Sequence, residues 1–242
     1  MNQIREEEHR TAILLGEAAL KRLHNAHVAI FGIGGVGGYT AEALARAGVG
    51  KLTLIDRDTV SLSNINRQII ALHSTVGQSK VEVMRQRILD INPNCQVTSI
   101  QAFFLPENAD EFAFNQFDYV VDAVDTVSAK IELVLRASSR KIPIISAMGA
   151  GNKLSAQQFT VTDLSKTAGC PLARVMRREL KKRGISRLKV VYSQEPVAPI
   201  RIDLSDSDGN GEKRAPTGSL PYVPGVAGLL MAGEVIKDLC TF

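Results

Sequence analysis

The run Gly32-Ile33-Gly34-Gly35-Val36-Gly37 constrains this chain more than any other stretch. It follows His27–Gly32 (HVAIFG), a short apolar segment that reads as a buried strand. It precedes Val36–Ala47, which has the pattern of a helix ended by Gly48 and Gly50. A G-x-G-x-x-G in that context makes a tight turn whose backbone N–H groups can approach a phosphate at a helix N-terminus. A second strand, Leu52–Asp56, ends in a carboxylate 19 residues beyond Gly37. That spacing suits an acid that bonds ribose hydroxyls.

The same alternation continues. A helix is predicted over Val76–Ile91, stopped before Pro93. Gln96–Ile100 follows as a third strand, Pro106–Asn115 as a helix, Tyr119–Ala123 as a fourth strand, Thr126–Arg140 as a helix and Pro143–Ala147 as a fifth strand. Residues 1–25 read as one N-terminal helix. After Gly149 the rhythm changes: Phe159–Thr162 and Leu188–Tyr192 read as strands on either side of a basic helix. Segment 203–218 is polar and reads as a mobile loop, and Gly225–Asp238 as a buried final helix. The expectation is an α/β fold. A Rossmann-like, mostly parallel sheet carries helices on both faces, with a C-terminal extension of antiparallel strands plus the buried helix. A single domain is expected, with residues 1–150 as nucleotide-binding core and 151–242 for substrate.

Composition excludes several classes. The 242 residues suffice for one large α/β domain. No apolar run approaches the ~20 residues of a membrane span, and the N-terminus, MNQIREEEHR, has no apolar signal core. Cys95, Cys170 and Cys240 are widely spaced with no C-x-x-C pair, which argues against structural zinc and suits a reducing, cytoplasmic setting. His9, His24, His27 and His73 show no ligand spacing.

The glycine turn alone favours a nicotinamide or flavin enzyme. The charged residues that follow point elsewhere. Asp58 and the run Ser63-Asn64-Ile65-Asn66-Arg67-Gln68 lie just beyond Asp56, and Gly77-Gln78-Ser79-Lys80 opens the next helix. Arg67 and Lys80 would flank one cleft, and a triphosphate that sheds pyrophosphate needs such cations. Asp122 and Asp125 end the fourth strand, where ligands of open α/β sheets bind. Asp125 is placed to hold Mg²⁺ on phosphate oxygens or to cap the helix that begins at Thr126. Arg174, Arg177, Arg178, Lys181 and Lys182 recur at spacings of three and four. They form either a solvated helix or a face for a polyanion.

Together these motifs resemble the ubiquitin-activating-enzyme-like superfamily of the ThiF and MoeB adenylyltransferase type. The likeness runs from Arg10 to Lys237 and is carried by GIGGVG, ARAGVGKLTLIDRDTVSLSNINRQ, VGQSKVE, DAVD and GVAGLLMAGEVIK. It implies ATP and Mg²⁺, with Asp56 on the ribose, Arg67 and Lys80 on the phosphates and Asp125 on the metal. Gly32, Gly34, Gly35, Gly37, Asp58, Ser63, Asn64, Asn66, Gln68 and Asp122 would complete the nucleotide site. Arg10 would act across the interface of a homodimer.

Within the superfamily the chain is most similar to the tRNA threonylcarbamoyladenosine dehydratase branch, through Ala43–Asp56, Ile91-Asn92-Pro93 and Val161–Leu172. That resemblance implies adenylation of the threonyl carboxylate of the modified adenosine. The neighbouring carbamoyl oxygen would then attack and close a ring with release of AMP. It makes tRNA the partner of the basic helix and leaves open a sulfur-relay (cysteine desulfurase) system. The chain lacks the C-x-x-C pairs common in ThiF and MoeB. Thr217-Gly218-Ser219 stand where some dehydratases carry a cysteine, and Cys170 where an acidic residue is expected. Two other readings stay open: an activator of a small ubiquitin-like sulfur-carrier protein, and a nucleotide-binding module or NAD(P) oxidoreductase that shares only the fold.

Overall fold

A computed structural model describes residues 4–202 and 217–240. Seven strands form one sheet: β1 (His27–Phe31), β2 (Lys51–Ile55), β3 (Gln96–Ile100), β4 (Tyr119–Asp122), β5 (Ile144–Ala147), β6 (Phe159–Asp163) and β7 (Lys189–Ser193). Their order is β3-β2-β1-β4-β5-β7-β6. All neighbours are parallel except β6 and β7. The α-helices are α1 (His9–Leu15), α2 (Glu17–Asn25), α3 (Gly37–Arg46), α4 (Lys80–Ile91), α5 (Val127–Ser139), α6 (Pro171–Lys182) and α7 (Tyr222–Cys240).

The chain builds outward from β1 through β2 to β3, then returns to the other side of β1 and builds outward through β4 and β5. Val28 of β1 therefore faces Leu52 on one side and Tyr119 on the other. Because connections leave β1 and β4 in opposite directions, a crevice opens at their carboxyl ends.

Successive side chains of a strand point to opposite faces, and β1 supplies both cores. Val28 and Ile30 join α3, α4 and α7 on one face. Ala29 and Phe31 join an aromatic group of Phe104, Phe112, Phe114 and Phe117 on the other. Phe31 and Phe104 meet edge-on with ring centres 5.0 Å apart. A third cluster, including Met176 and Leu180 of α6 with Val190 and Tyr192 of β7, extends the core to the sheet edge.

Three sequence expectations change. The N-terminal helix is two helices, because Gly16 lies between α1 and α2 at φ 78°, which ends the first. Pro106–Asn115 is not an α-helix: 3-10 turns at Pro106–Glu111 and Phe114–Gln116 flank extended backbone at Phe112. Phe112 and Phe114 both enter the aromatic core, and residues two apart do not share an α-helical face. The helix expected from Val76 starts at Lys80 instead. Residues 77–80 bond the backbone of 58–60, through Gly77 N–H to Val60 O, Val60 N–H to Gln78 O and Lys80 N–H to Asp58 O. Of the segment expected to be a mobile loop, 203–216 lies outside the described residues.

Helix α7 crosses α3 closely. A Cβ on Gly228 would lie 2.3 Å from Val36 O and 3.0 Å from Tyr39 Cβ. Thr40 Oγ1 donates to Gly228 O at 3.0 Å. Gly228→Ala should therefore force the helices apart at a cost of about 1–3 kcal/mol. That lowers Tm by roughly 2–4 °C per kcal/mol for a domain of this size. A thermal melt that matches the unsubstituted protein would show that the helices have slack at this crossing.

Candidate active site

The crevice between β1 and β4 contains a cavity of about 490 Å³. Its floor is the glycine turn. Gly32, at φ 90°, lies so close to the next loop that a Cβ would sit 2.6 Å from Ala123 O. Gly32, Gly34 and Gly35 line the cavity. Gly37 does not, because its place is behind the turn, where a Cβ would be 1.8 Å from Gly32 O. Its smallness lets α3 start directly off β1.

Asp56 leaves the end of β2 and enters the cavity wall. Its Oδ2 accepts from Ile33 N–H at 2.6 Å and its Oδ1 from Asp58 N–H at 2.9 Å. Two backbone donors thus fix the carboxylate, and each oxygen keeps a lone pair for a ligand hydroxyl.

Asp58, Asn64, Arg67, Gln68 and Lys80 line the same cavity. The 58–60 and 77–80 backbone pairing brings Lys80 beside Asp58, with Nζ to Oδ2 at 2.8 Å. The Lys80 side chain is only 7% exposed, against 53% for Asp58. An ammonium at that depth needs a partner, so Asp58 is placed first of all to hold Lys80. The remaining ammonium protons can serve an anion in the cavity. Arg67 is held by its neighbours: Nη1 donates to Ser63 O at 2.8 Å and Asn66 Oδ1 at 2.9 Å. Ser63 and Asn66 lie outside the cavity wall, and Asn66 Nδ2 also donates to Ser219 O at 3.0 Å. The capping box of the 62–64 turn fixes Asn64, whose Oδ1 accepts from Ser61 N–H at 3.1 Å. The Gln68 carboxamide oxygen is buried with no hydrogen-bond partner among the described residues.

Asp122 and Asp125 part company. Asp125 is exposed at the cavity edge, with Oδ1 accepting from Thr126 Oγ1 at 3.3 Å. The cap position of α5 is Thr126, with no side-chain cap hydrogen bond. Asp122 is fully buried below the cavity, paired with Lys130 at 3.0 Å and accepting from Ser146 Oγ. It supports the turn rather than lining it.

The described residues contain no cluster of three or more His, Cys, Asp or Glu side chains able to cage a metal. Mg²⁺ needs no such cluster, since it keeps several waters and takes one or two carboxylates plus phosphate oxygens. Of the cavity's carboxylates, Asp56 is fixed by two backbone donors and Asp58 is paired with Lys80. Asp125 is the residue that fits.

Several wall residues carried no sequence signal. Arg57 stacks over Phe103, 4.3 Å from the ring centre, and both line the cavity with Phe104. Gly151 also lines the cavity, as do Thr217 and Ser219 of the segment that stands where some dehydratases carry a cysteine. Asn152, at φ 54°, bonds the 217–218 backbone in both directions, through its N–H to Gly218 O and its Oδ1 from Gly218 N–H.

The remaining sequence candidates lie elsewhere. Arg10 is exposed on α1, away from the cavity, and Ile13 and Leu14 beside it are more than four-fifths exposed. On α6, Arg174, Arg178, Lys181 and Lys182 are exposed. Arg177 turns inward and bonds the Thr167 carbonyl at 2.8 Å and its hydroxyl. It ties α6 to the turn before it through one guanidinium nitrogen.

The sequence and the fold have relatives among known proteins. The chain is 44% identical over 236 residues to the tRNA threonylcarbamoyladenosine dehydratase of Bacillus subtilis, covering 95% of this chain and 93% of the relative. The E. coli tRNA N6-threonylcarbamoyladenosine dehydratase, solved in complex with ATP, superposes with a TM-score of 0.86 at 36% identity, covering 99% and 96% of the two chains. The same enzyme in complex with AMP gives 0.86 at 37%. The molybdopterin-synthase adenylyltransferase of Escherichia coli is 40% identical, over 61% of this chain and 58% of its own length. The ThiF family model matches residues 8–242. With its glycine turn, paired cations and terminal carboxylate gathered at one switch point, the chain belongs to the ThiF family.

Proposed function

We propose that this protein is an ATP-dependent tRNA threonylcarbamoyladenosine dehydratase. The observation that carries the reading is the extent of the likeness. Similarity to the Bacillus subtilis dehydratase spans 95% of the chain, whereas similarity to the adenylyltransferase spans 61%.

Asp56 holds the ribose, and Arg67 and Lys80 face the phosphates, Lys80 preset by Asp58 in the same wall and Arg67 by Ser63 and Asn66 beside it. Such fixed charge favours the pyrophosphate that develops as the bond to the α-phosphorus breaks. Asp125 would hold Mg²⁺, which neutralises phosphate charge when bound. The threonyl carboxylate attacks the α-phosphorus and pyrophosphate leaves. The carbamoyl group of the same nucleoside then attacks the activated carbonyl, loses a proton and expels AMP, so the nucleoside ends one water lighter.

Ring closure is internal to the substrate, so no enzyme thiolate is required. All three cysteines are buried, and burial pushes the Cys95 thiol up to about 11. That setting favours direct cyclisation over a relay through the enzyme's own sulfur or a sulfur-relay partner. The exposed apolar side chains of Ile13 and Leu14 beside Arg10 support a homodimer in which α1 meets a second copy. No helix among the described residues is long and apolar enough to cross a membrane, which accords with a cytoplasmic tRNA enzyme.

Incubation with ATP, Mg²⁺ and threonylcarbamoylated tRNA should yield AMP, pyrophosphate and a nucleoside lighter by one water in mass analysis. Pyrophosphate release stimulated by a small carrier protein and not by tRNA would favour the adenylyltransferase reading instead. Arg67→Ala, Lys80→Ala and Asp125→Ala should each lower turnover about 10²–10³-fold with little change in melting temperature. Wild-type rates in all three would remove the roles assigned to them.

The exposed cations of α6 offer a track for tRNA phosphates. Arg174→Glu with Lys181→Glu should weaken tRNA binding and flatten its salt dependence, by roughly one unit of log–log slope for each phosphate that is no longer neutralised. ATP affinity should not change. Equal tRNA affinity across a salt titration would remove α6 from the interface.

A further inference from the structure

The geometry points to Lys130 as the positioning residue for the Asp125 carboxylate, acting through a buried charge pair beneath the nucleotide cavity. This inference rests on the reading that Asp125 holds Mg²⁺ on ATP.

Lys130 and Asp122 are both 0% exposed and 3.0 Å apart. The pair joins three elements: Asp122 ends β4, Lys130 sits in the first turn of α5, and Ser146 Oγ of β5 donates to the second Asp122 oxygen. Lys130 Nζ donates also to Val124 O at 3.0 Å, and Asp122 Oδ1 accepts from Val124 N–H at 3.3 Å. Both backbone groups of Val124, the residue before Asp125, are therefore gripped by the pair.

A wholly buried ion pair is a poor device for stability, since apolar residues of similar volume often serve as well or better. A pair in this position needs another reason, and its contacts supply one. The turn from Asp122 to Asp125 is bonded to Phe31 by Ala123 N–H and lies against Gly32. Fixing Val124 therefore fixes the Asp125 backbone relative to the floor on which the phosphates rest. Groups that orient a metal-holding carboxylate typically matter about 10–100-fold for metal affinity or activity.

The test compares ATP affinity by calorimetry in EDTA and across a Mg²⁺ titration, for Lys130→Met and the charge-free pair Asp122→Asn/Lys130→Met. Both should bind ATP without metal within about twofold of the unsubstituted protein. The Mg²⁺ midpoint should rise about 10–100-fold, and kcat should fall in parallel while KM for tRNA stays fixed. Lys130→Met leaves an unpaired buried acid, and if it does not fold, the double substitution decides.

A folded double variant with an unchanged Mg²⁺ midpoint overturns the inference. So does one whose ATP affinity falls equally with and without metal, which would mean general collapse of the site. Asp125→Ala separates the two layers of the argument. If it shifts the Mg²⁺ midpoint and the Lys130 variants do not, only the positioning role fails. If it leaves the midpoint unchanged, the metal role of Asp125 fails as well.

Discussion

The backbone contact between the Gly32 turn and the Ala123–Val124 turn governs the rest of this molecule. These turns leave β1 and β4, adjacent parallel strands whose onward connections run to opposite sides of the sheet. With no side chain at Gly32, they approach until Ala123 O would lie 2.6 Å from a Cβ there. One short crevice then receives the α3 N-terminus, the carboxylate at the end of β2 and the carboxylate after β4. A larger residue at position 32 would part the turns and separate the groups that have to meet one nucleotide.

Around that contact, each charged group at the cavity is fixed by a partner, charged or neutral. Asp58 holds Lys80, the Ser63 carbonyl and Asn66 amide hold Arg67, and Asp122 with Lys130 holds the turn that carries Asp125. Asp58 lies within the wall, Asp122 and Lys130 under it, and Ser63 and Asn66 just outside it. Electrostatic stabilisation of a transition state depends on such presetting, because donors that must first reorient lose much of their effect. The neutral partners of Arg67 also leave its positive charge uncompensated at the cavity.

Much of this was legible in the sequence. Strand positions followed from apolar runs, and the glycine turn, Asp56 and Asp125 from their places at strand ends. What escaped was partly local bonding and partly contacts distant in sequence. Ser63 and Asn66 read as ligand contacts; on the tight 62–67 turn the Ser63 carbonyl and the Asn66 carboxamide oxygen accept from Arg67. Pro106–Asn115 read as a helix from composition, until four phenylalanines had to reach one core. Lys130 did leave a trace. Val127, Lys130, Ile131 and Val134 follow the i, i+3, i+4, i+7 spacing of a buried helix face, so a lysine there must meet a buried acid. Arg57 over Phe103 had no local signal, since β3 brings its partner from far along the chain.

The basic helix shows how a count of charges misleads. Five cations on α6 were candidates for an anionic partner, yet their surroundings divide them. Arg177 is half-buried and uses one guanidinium nitrogen to hold Thr167. Glu179 is held down to about 2 by hydrogen bonds from Arg183, Arg178 and Lys182, so it stays ionised at any physiological pH. Those three cations share its single charge and keep a net excess of two. Arg174 and Lys181 have no ion pair among the described residues. They lie seven residues apart, two helical turns along one face. The positive field is therefore spread along the helix, and the separation of Arg174 and Lys181, about 10 Å, suits an extended polyanion better than one compact anion.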